Sequence, residues 1–411
     1  MIAATTTAGP SNSRPGTPSS HATVDDADDA VGPRRIAVQG AAAMAAAMGV
    51  GRFAYTPILP LMHTQAGMSP QLGSALATAN YAGYLAGALA GIAVPTLARS
   101  RTALRLSLVL VTVTLAAMPF TRDGSIWFTL RLVAGAASAL AFVVAANALI
   151  TALRNRGQHL VGWGFGGVGA GIALSGALML ALHDGGTWRQ AWWLAAALSL
   201  VLTIPAWHLP TGTTTATPAV KPRVVEGADH TIPRGYVPLL AAYSLEGIGY
   251  IIAGTFLVVA IDQSAPTWVG TSAWVLAGLA ALPSAALWAA LARRRSRPML
   301  LTTALAVQAV GIALPALVGG VGAALASAAL FGGTFLGIAT LALAIGAQIG
   351  APRAVAVLTA AYAAGQLAGP LLVTPLLHTG YHQALIAAAA LVALAAVTAA
   401  LIRPDQESKP S

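Results

Sequence analysis

The sequence predicts an all-α polytopic membrane protein, with twelve transmembrane helices in two pseudo-symmetric six-helix bundles. Three observations predict it. Its residues are 57% hydrophobic and only 8% charged, with a mean hydropathy of +0.74, well outside the range of water-soluble domains. Apolar runs of about twenty residues, enough to cross hydrocarbon as a helix, recur from Ile36 to Ile402. They are rich in Ala and Leu, and a helix satisfies its own backbone polar groups in lipid. Basic residues, finally, collect in alternate connections, as in membrane proteins of fixed orientation.

Residues 1–33 are rich in Ser, Thr, Pro, Gly and Asp and lack the apolar core of a secretory signal, so a disordered cytoplasmic tail is expected. The first bundle, 34–209, holds helices at about 36–62, 70–94, 102–120, 125–152, 160–182 and 188–208. A Thr- and Pro-rich cytoplasmic linker follows over 210–235. The second bundle, 236–402, holds helices at about 236–261, 268–291, 298–318, 320–347, 353–377 and 380–402, and 403–411 is a short cytoplasmic tail.

With these boundaries one side collects Arg34, Arg35, Arg99, Arg101, Arg105, Arg154 and Arg156, the linker's Lys221, Arg223 and Arg234, then Arg293, Arg294, Arg295, Arg297, Arg353 and Arg403. The other side carries Arg122 and Arg189. The positive-inside rule places both termini and the linker in the cytoplasm, in what is expected to be a bacterial inner membrane. The formal net charge of +10 is therefore an orientation signal, and no nucleic-acid partner is expected. The chain has no Cys, which excludes disulfides and thiolate chemistry. His378 and His382 have i, i+4 spacing but no third ligand, so no metal or other cofactor is expected. Gly162 to Gly176 and Gly365 to Gly369 lie inside apolar helices, with no strand before and no Lys-Ser/Thr after, and read as helix packing rather than nucleotide loops.

The halves echo each other. Gly49-Val-Gly51 in the first helix answers Gly247-Ile-Gly249 in the seventh, and Ala98-Arg-Ser-Arg after helix two answers Ala292-Arg-Arg-Arg after helix eight. Parallel repeats with a site near the midplane between them are a common build of secondary transporters.

The stretch MGVGRFAYTPILPLM, Met48 to Met62, puts Arg52 inside an apolar helix with Tyr55 close behind. A guanidinium in hydrocarbon costs roughly 2.5 to 3.5 kcal/mol on insertion scales, so it must face a wet cavity or a partner. Its expected complement is Glu246 in SLEGIGYIIAGTF, a stretch that also carries Tyr250. At 1.5 Å per residue Arg52 lies about 24 Å from the cytoplasmic end of its helix and Glu246 about 15 Å along its own. Arg52 would hold a polar or anionic group of a substrate, and Glu246 would load and release a proton; the competing reading pairs them structurally. Arg131, in RLVAGAASALAF, suits either proton coupling or pairing with carbonyls of a neighbouring helix. Asp262 is expected to be solvated. Asn80 and Tyr84 share a face of helix two, and Asn147, Gln348 and Gln366 interrupt apolar helices. Each alone suits an interhelical hydrogen bond, and together they suit a cavity. Trp188, Trp192 and Trp193 suit an interfacial belt.

These stretches, with ATANYAGYLAGALAG, GVGAGIALSG, LFGGTFLGIATLALA and TAAYAAGQLAGPLL, resemble the major facilitator superfamily, and within it the YbfB/YjiJ-type branch. The resemblance runs from the first to the eleventh helix. It implies two six-helix bundles around a central cavity and alternating access, driven by the proton gradient. Gly91, Arg99, Arg101 and Arg105 match the superfamily's loop after helix two, but its Asp is missing. Arg131 and Gly135 match its helix four, with Ala134 where a Gln is common. The expected function is thus a proton-coupled, monomeric secondary transporter of a small organic solute, with export ranked ahead of uptake. Substrate-binding candidates are Arg52, Tyr55, Asn80, Tyr84, Tyr250 and Gln366; proton-coupling candidates are Glu246 and Arg131. A uniporter of the same fold and, lower, a membrane-embedded enzyme are the alternatives.

Overall fold

A computed structural model describes residues 32–154, 157–182, 185–211, 233, 235–349 and 354–402. Most of the expected N-terminal tail, most of the linker and the C-terminal tail lie outside these residues, as do Arg156, Lys221, Arg223, Arg234, Arg353 and Arg403. Twelve long helical stretches follow one another among the described residues: α1 (Pro33–Ala66), α2 (Pro70–Ala93), α3 (Arg101–Ala117), α4 (Gly124–Ala152), α5 (Gln158–Ala181), α6 (Trp188–Ala206), α7 (Tyr236–Asp262), α8 (Thr267–Leu291), α9 (Arg297–Leu317), α10 (Gly320–Ile349), α11 (Ala354–Val373) and α12 (Tyr381–Ala400). No strand occurs among them.

Side chains set several of the ends. Ser69 accepts from the Leu72 N–H with Pro70 at the first helical position, Asp123 caps α4, and Thr187 with Gln190 closes a capping box on α6. Each supplies an acceptor to amides that have no partner within the helix. Gly67, at φ 69°, ends α1 in the left-handed region open to glycine.

Ten of these stretches are apolar and long enough to cross a membrane; α2 and α6 are not among them. Both are diluted by side chains that the fold turns inward. Ser74 and Asn80 of α2, and Ser199 and Thr203 of α6, are buried between helices, while outward positions such as Leu106, Val201, Ile204 and Val397 are apolar. The protein therefore presents hydrocarbon to its surroundings and keeps its hydroxyls and amides inside, the reverse of a soluble domain.

Helix neighbours recur at an offset of six. α2 packs on α4, α3 on α4 and α6, and α1 on α5 and α6; likewise α8 packs on α10, α9 on α10 and α12, and α7 on α11 and α12. Glycines at these contacts also correspond. A Cβ on Gly135 of α4 would overlap the Asn80 carbonyl of α2, and one on Gly332 of α10 would overlap the Ala277 carbonyl of α8. Gly49 lies against α5 and Gly247 against α11 in the same way. The two sets of six meet along α5 and α8, α2 and α11, and α1 and α7. At the first of these seams Gly166, Gly169 and Gly278 bring backbone onto backbone, so the Gly-rich run in α5 is a packing surface.

Two of the three tryptophans expected at the interface are inside. Trp188 packs edge-on against Trp127 and Trp192 stacks on Tyr55, whereas Trp193 faces outward. A tryptophan cluster at one helix start does not indicate which of its members point to lipid, because neighbours are 100° apart around the axis.

Candidate functional site

The site begins with a break in α1. Residues Ala45–Val50 form a π-turn and Gly51 to Ala54 are irregular, before regular helix resumes at Tyr55. Pro57 has no N–H to offer the Phe53 carbonyl four residues back, and the Thr56 N–H takes that carbonyl instead at 3.2 Å. The Arg52 carbonyl is thereby left without Thr56, its helical donor. Arg131 of α4 supplies a replacement: its Nη1 donates to Gly51 O and its Nη2 to Arg52 O, each at 3.3 Å, with its guanidinium 4.8 Å over the Tyr55 ring. The Arg131 side chain thus pairs with carbonyls of a neighbouring helix.

The break lets the Arg52 side chain leave the helix into the junction of the two helix sets. It is 3% exposed. Rings of Tyr84, Tyr81 and Phe53 surround its guanidinium at 4.3, 4.8 and 5.3 Å. Its Nη2 donates to the Gln366 Oε1 of α11, and its Nε has no acceptor. The pairing expected with Glu246 is not formed. Glu246 is fully buried, and the polar side chains that face it are those of Tyr362 and Gln308. Helix order and depth place Arg52 and Glu246 in one region, but they carry no information on which way each helix face turns.

An aromatic layer fills the space between them. Tyr243 stacks on Tyr362 at 4.3 Å, and Tyr250 stacks on Phe335 at 4.9 Å and on Tyr362 and Phe331 at 6.0 Å, with ring planes within 15° of parallel. Such offset parallel pairs are the favourable arrangement of ring quadrupoles. Tyr250 lies within electrostatic reach of both Arg52 and Glu246. Tyr84 and Tyr362 keep accessible surface; Arg52, Gln366, Glu246 and Tyr250 keep almost none.

Two of the substrate-binding candidates bond to carbonyls of neighbouring helices. The Tyr55 hydroxyl donates to Gly73 O at 2.8 Å, and the Asn80 Nδ2 donates to Arg131 O at 3.0 Å. Asn147 similarly donates to Ala98 O at 3.2 Å, and Gln348 faces outward. Asp262, expected in solvent, is half-buried with one oxygen unpartnered. Tyr243, Tyr362, Gln308 and Phe335 escaped the sequence reading. Gln308 was visible as a lone amide in an apolar helix, and Tyr243 and Tyr362 carry hydroxyls like that of Tyr84; Phe335 has no polar group to mark it.

Beyond Arg52, one end of the junction is clasped by polar side chains. Ser74 donates to Pro370 O at 3.0 Å and meets Thr374 at 2.8 Å, and Tyr81 meets the Thr255 hydroxyl at 2.8 Å. His63 Nδ1 is 2.6 Å from the Met68 carbonyl, which can only accept, so in the neutral ring Nε2 accepts from the Tyr381 hydroxyl at 3.0 Å. Thr56 donates to Gly254 O, and Gln71 reaches His378.

Long apolar helices gathered around a buried cationic and aromatic junction define a multi-pass membrane protein. Its fold is that of a point mutant of the nucleoside transporter NupG, with a TM-score of 0.63 at 13% identity, covering 90% of this chain and 100% of that one. The chain belongs to the family described as the uncharacterised MFS-type transporter YbfB, whose profile matches residues 44–403. No curated protein matches the chain significantly.

Proposed function

We propose that the protein is a monomeric secondary active transporter that moves a small organic solute by alternating access between two six-helix bundles, 34–209 and 236–402, joined by a cytoplasmic linker over 210–235. The observation that carries this reading is Arg52: a buried cation at the junction of the two helix sets, met by neutral groups, the Gln366 amide and the Tyr84 hydroxyl. A charge so placed is costly unless an anion or dipole arrives to meet it. The sixfold-offset helix pairs and the matching glycines support two bundles. With the arginine-rich connections and both chain ends in the cytoplasm of a bacterial inner membrane, the clasp of Ser74, Thr374, His63 and Tyr381 falls at the outer end. The binding region is then reached past Tyr84 and Tyr362 from the cytoplasm, the side from which an exporter loads.

Glu246 supplies the proton-linked step. Its carboxyl is desolvated, shares the aromatic layer with the Arg52 region, and forms no ion pair among the described residues. Proteoliposomes with an imposed pH gradient test this. Wild-type transport should follow the gradient and the Glu246→Gln variant should exchange solute without following it. Wild-type flux indifferent to the gradient would instead make the protein a uniporter.

A further inference from the structure

We infer that the solute is a planar aromatic carboxylate, held with its carboxylate in the Nε/Nη2 fork of Arg52 and its ring against Tyr84. The inference rests on the transport reading above and adds the chemistry of the cargo.

The fork carries the argument. The Nε–H and one Nη2–H of a guanidinium point the same way and match the two oxygens of a carboxylate. In Arg52 the Nη2 donates to Gln366, the Tyr84 hydroxyl lies in reach of the guanidinium, and the Nε has no acceptor although the side chain is 3% exposed. Neutral groups alone therefore meet a fork that suits a carboxylate. A second guanidinium, Arg131, lies within electrostatic reach, and the buried carboxyl of Glu246 pairs with neither. The local excess is cationic. Gln366 can change roles: its Oε1 accepts from Arg52 in the empty site, and its Nε2–H can donate to a bound carboxylate. An acid in the fork would thus touch α1 and α11 at once and tie loading to the contact between the helix sets.

The walls select the remainder of the molecule. Phe53, Tyr81 and Tyr84 line the guanidinium from one helix set, and Tyr250 and Tyr362 stand on the other. Tyr84 and Tyr362 are the members with accessible surface, so an incoming ring meets them first. Ring-on-ring contact favours an aromatic over a saturated ring of similar size by about threefold to tenfold.

The test measures thermal shift and tryptophan fluorescence of the purified full chain with benzoate, phenylacetate, benzamide and cyclohexanecarboxylate, followed by counterflow in proteoliposomes. Benzoate or phenylacetate should bind, cyclohexanecarboxylate more weakly, and benzamide least. Arg52→Lys keeps the charge but loses the fork and should weaken acid binding about tenfold or more. Gln366→Glu sets a carboxylate into the fork from within, so this variant should be more heat-stable than wild type and insensitive to benzoate; it keeps the test decisive if Arg52→Lys does not fold. Binding of benzamide or cyclohexanecarboxylate equal to that of benzoate, or no response to either aromatic acid, overturns the inference. Acid binding without counterflow would strike the transport reading and leave the ligand class standing, whereas counterflow of a non-aromatic solute with no acid binding would strike the ligand class alone.

Discussion

Arg131 shows what a single side chain can do for a site it does not enter. Its two donors close on carbonyls that the broken first helix has exposed, so it fixes the backbone from which Arg52 projects. Replacing it by Gln leaves at least one buried carbonyl unmet, at about 1–3 kcal/mol each. Arg131→Gln should therefore lower the melting temperature and raise KM for the solute while the pH-gradient dependence of transport persists; loss of gradient dependence alone, at unchanged KM, would favour the proton-coupling reading of Arg131. Much of the site was legible at this scale. Arg52, Glu246, Gln366 and Tyr84 stand out because polar groups in hydrocarbon need a reason. Their pairing was not legible, since a sequence gives depth along a helix and leaves its rotation open. Asn80 and Tyr55 look identical to ligand contacts until their acceptors, Arg131 O and Gly73 O, are known.

Among the helices, composition announced the place and length of nearly every element, and the polar dilution of α2 and α6 follows from their buried hydroxyl and amide faces. The break in α1 was half visible. Pro57 forbids one helical hydrogen bond, but nothing in the sequence shows that Arg131 donates to the Gly51 and Arg52 carbonyls left open by the break. The pair α2 and α4 is held closer than any side chain allows, because Cβ atoms on Gly83, Gly87 and Gly135 would overlap backbone of the facing helix. Overpacking of this kind ordinarily costs about 1–3 kcal/mol, and more where the obstacle is backbone that cannot yield. Gly135→Leu should accordingly abolish folded protein in detergent, judged by size-exclusion chromatography, while Gly322→Leu, where no atom lies within 4 Å of the added carbon, should be tolerated.

For the whole molecule, the absence of cysteine makes the clasp accessible to a direct test. In the double variant Ser74→Cys, Thr374→Cys, whose wild-type hydroxyls are 2.8 Å apart, oxidation should join α2 to the end of α11 and arrest transport, and reductant should restore it. Full transport by the oxidised, cross-linked protein would mean that this end never opens. The seam between α5 and α8 has a separate consequence. Where Gly166, Gly169 and Gly278 lay main chain against main chain, that line of closest approach has little side-chain bulk to drag across it. Helices so joined can turn about the line on which they touch, so weakening a hydroxyl or imidazole contact of the clasp should quicken turnover before it loosens the fold.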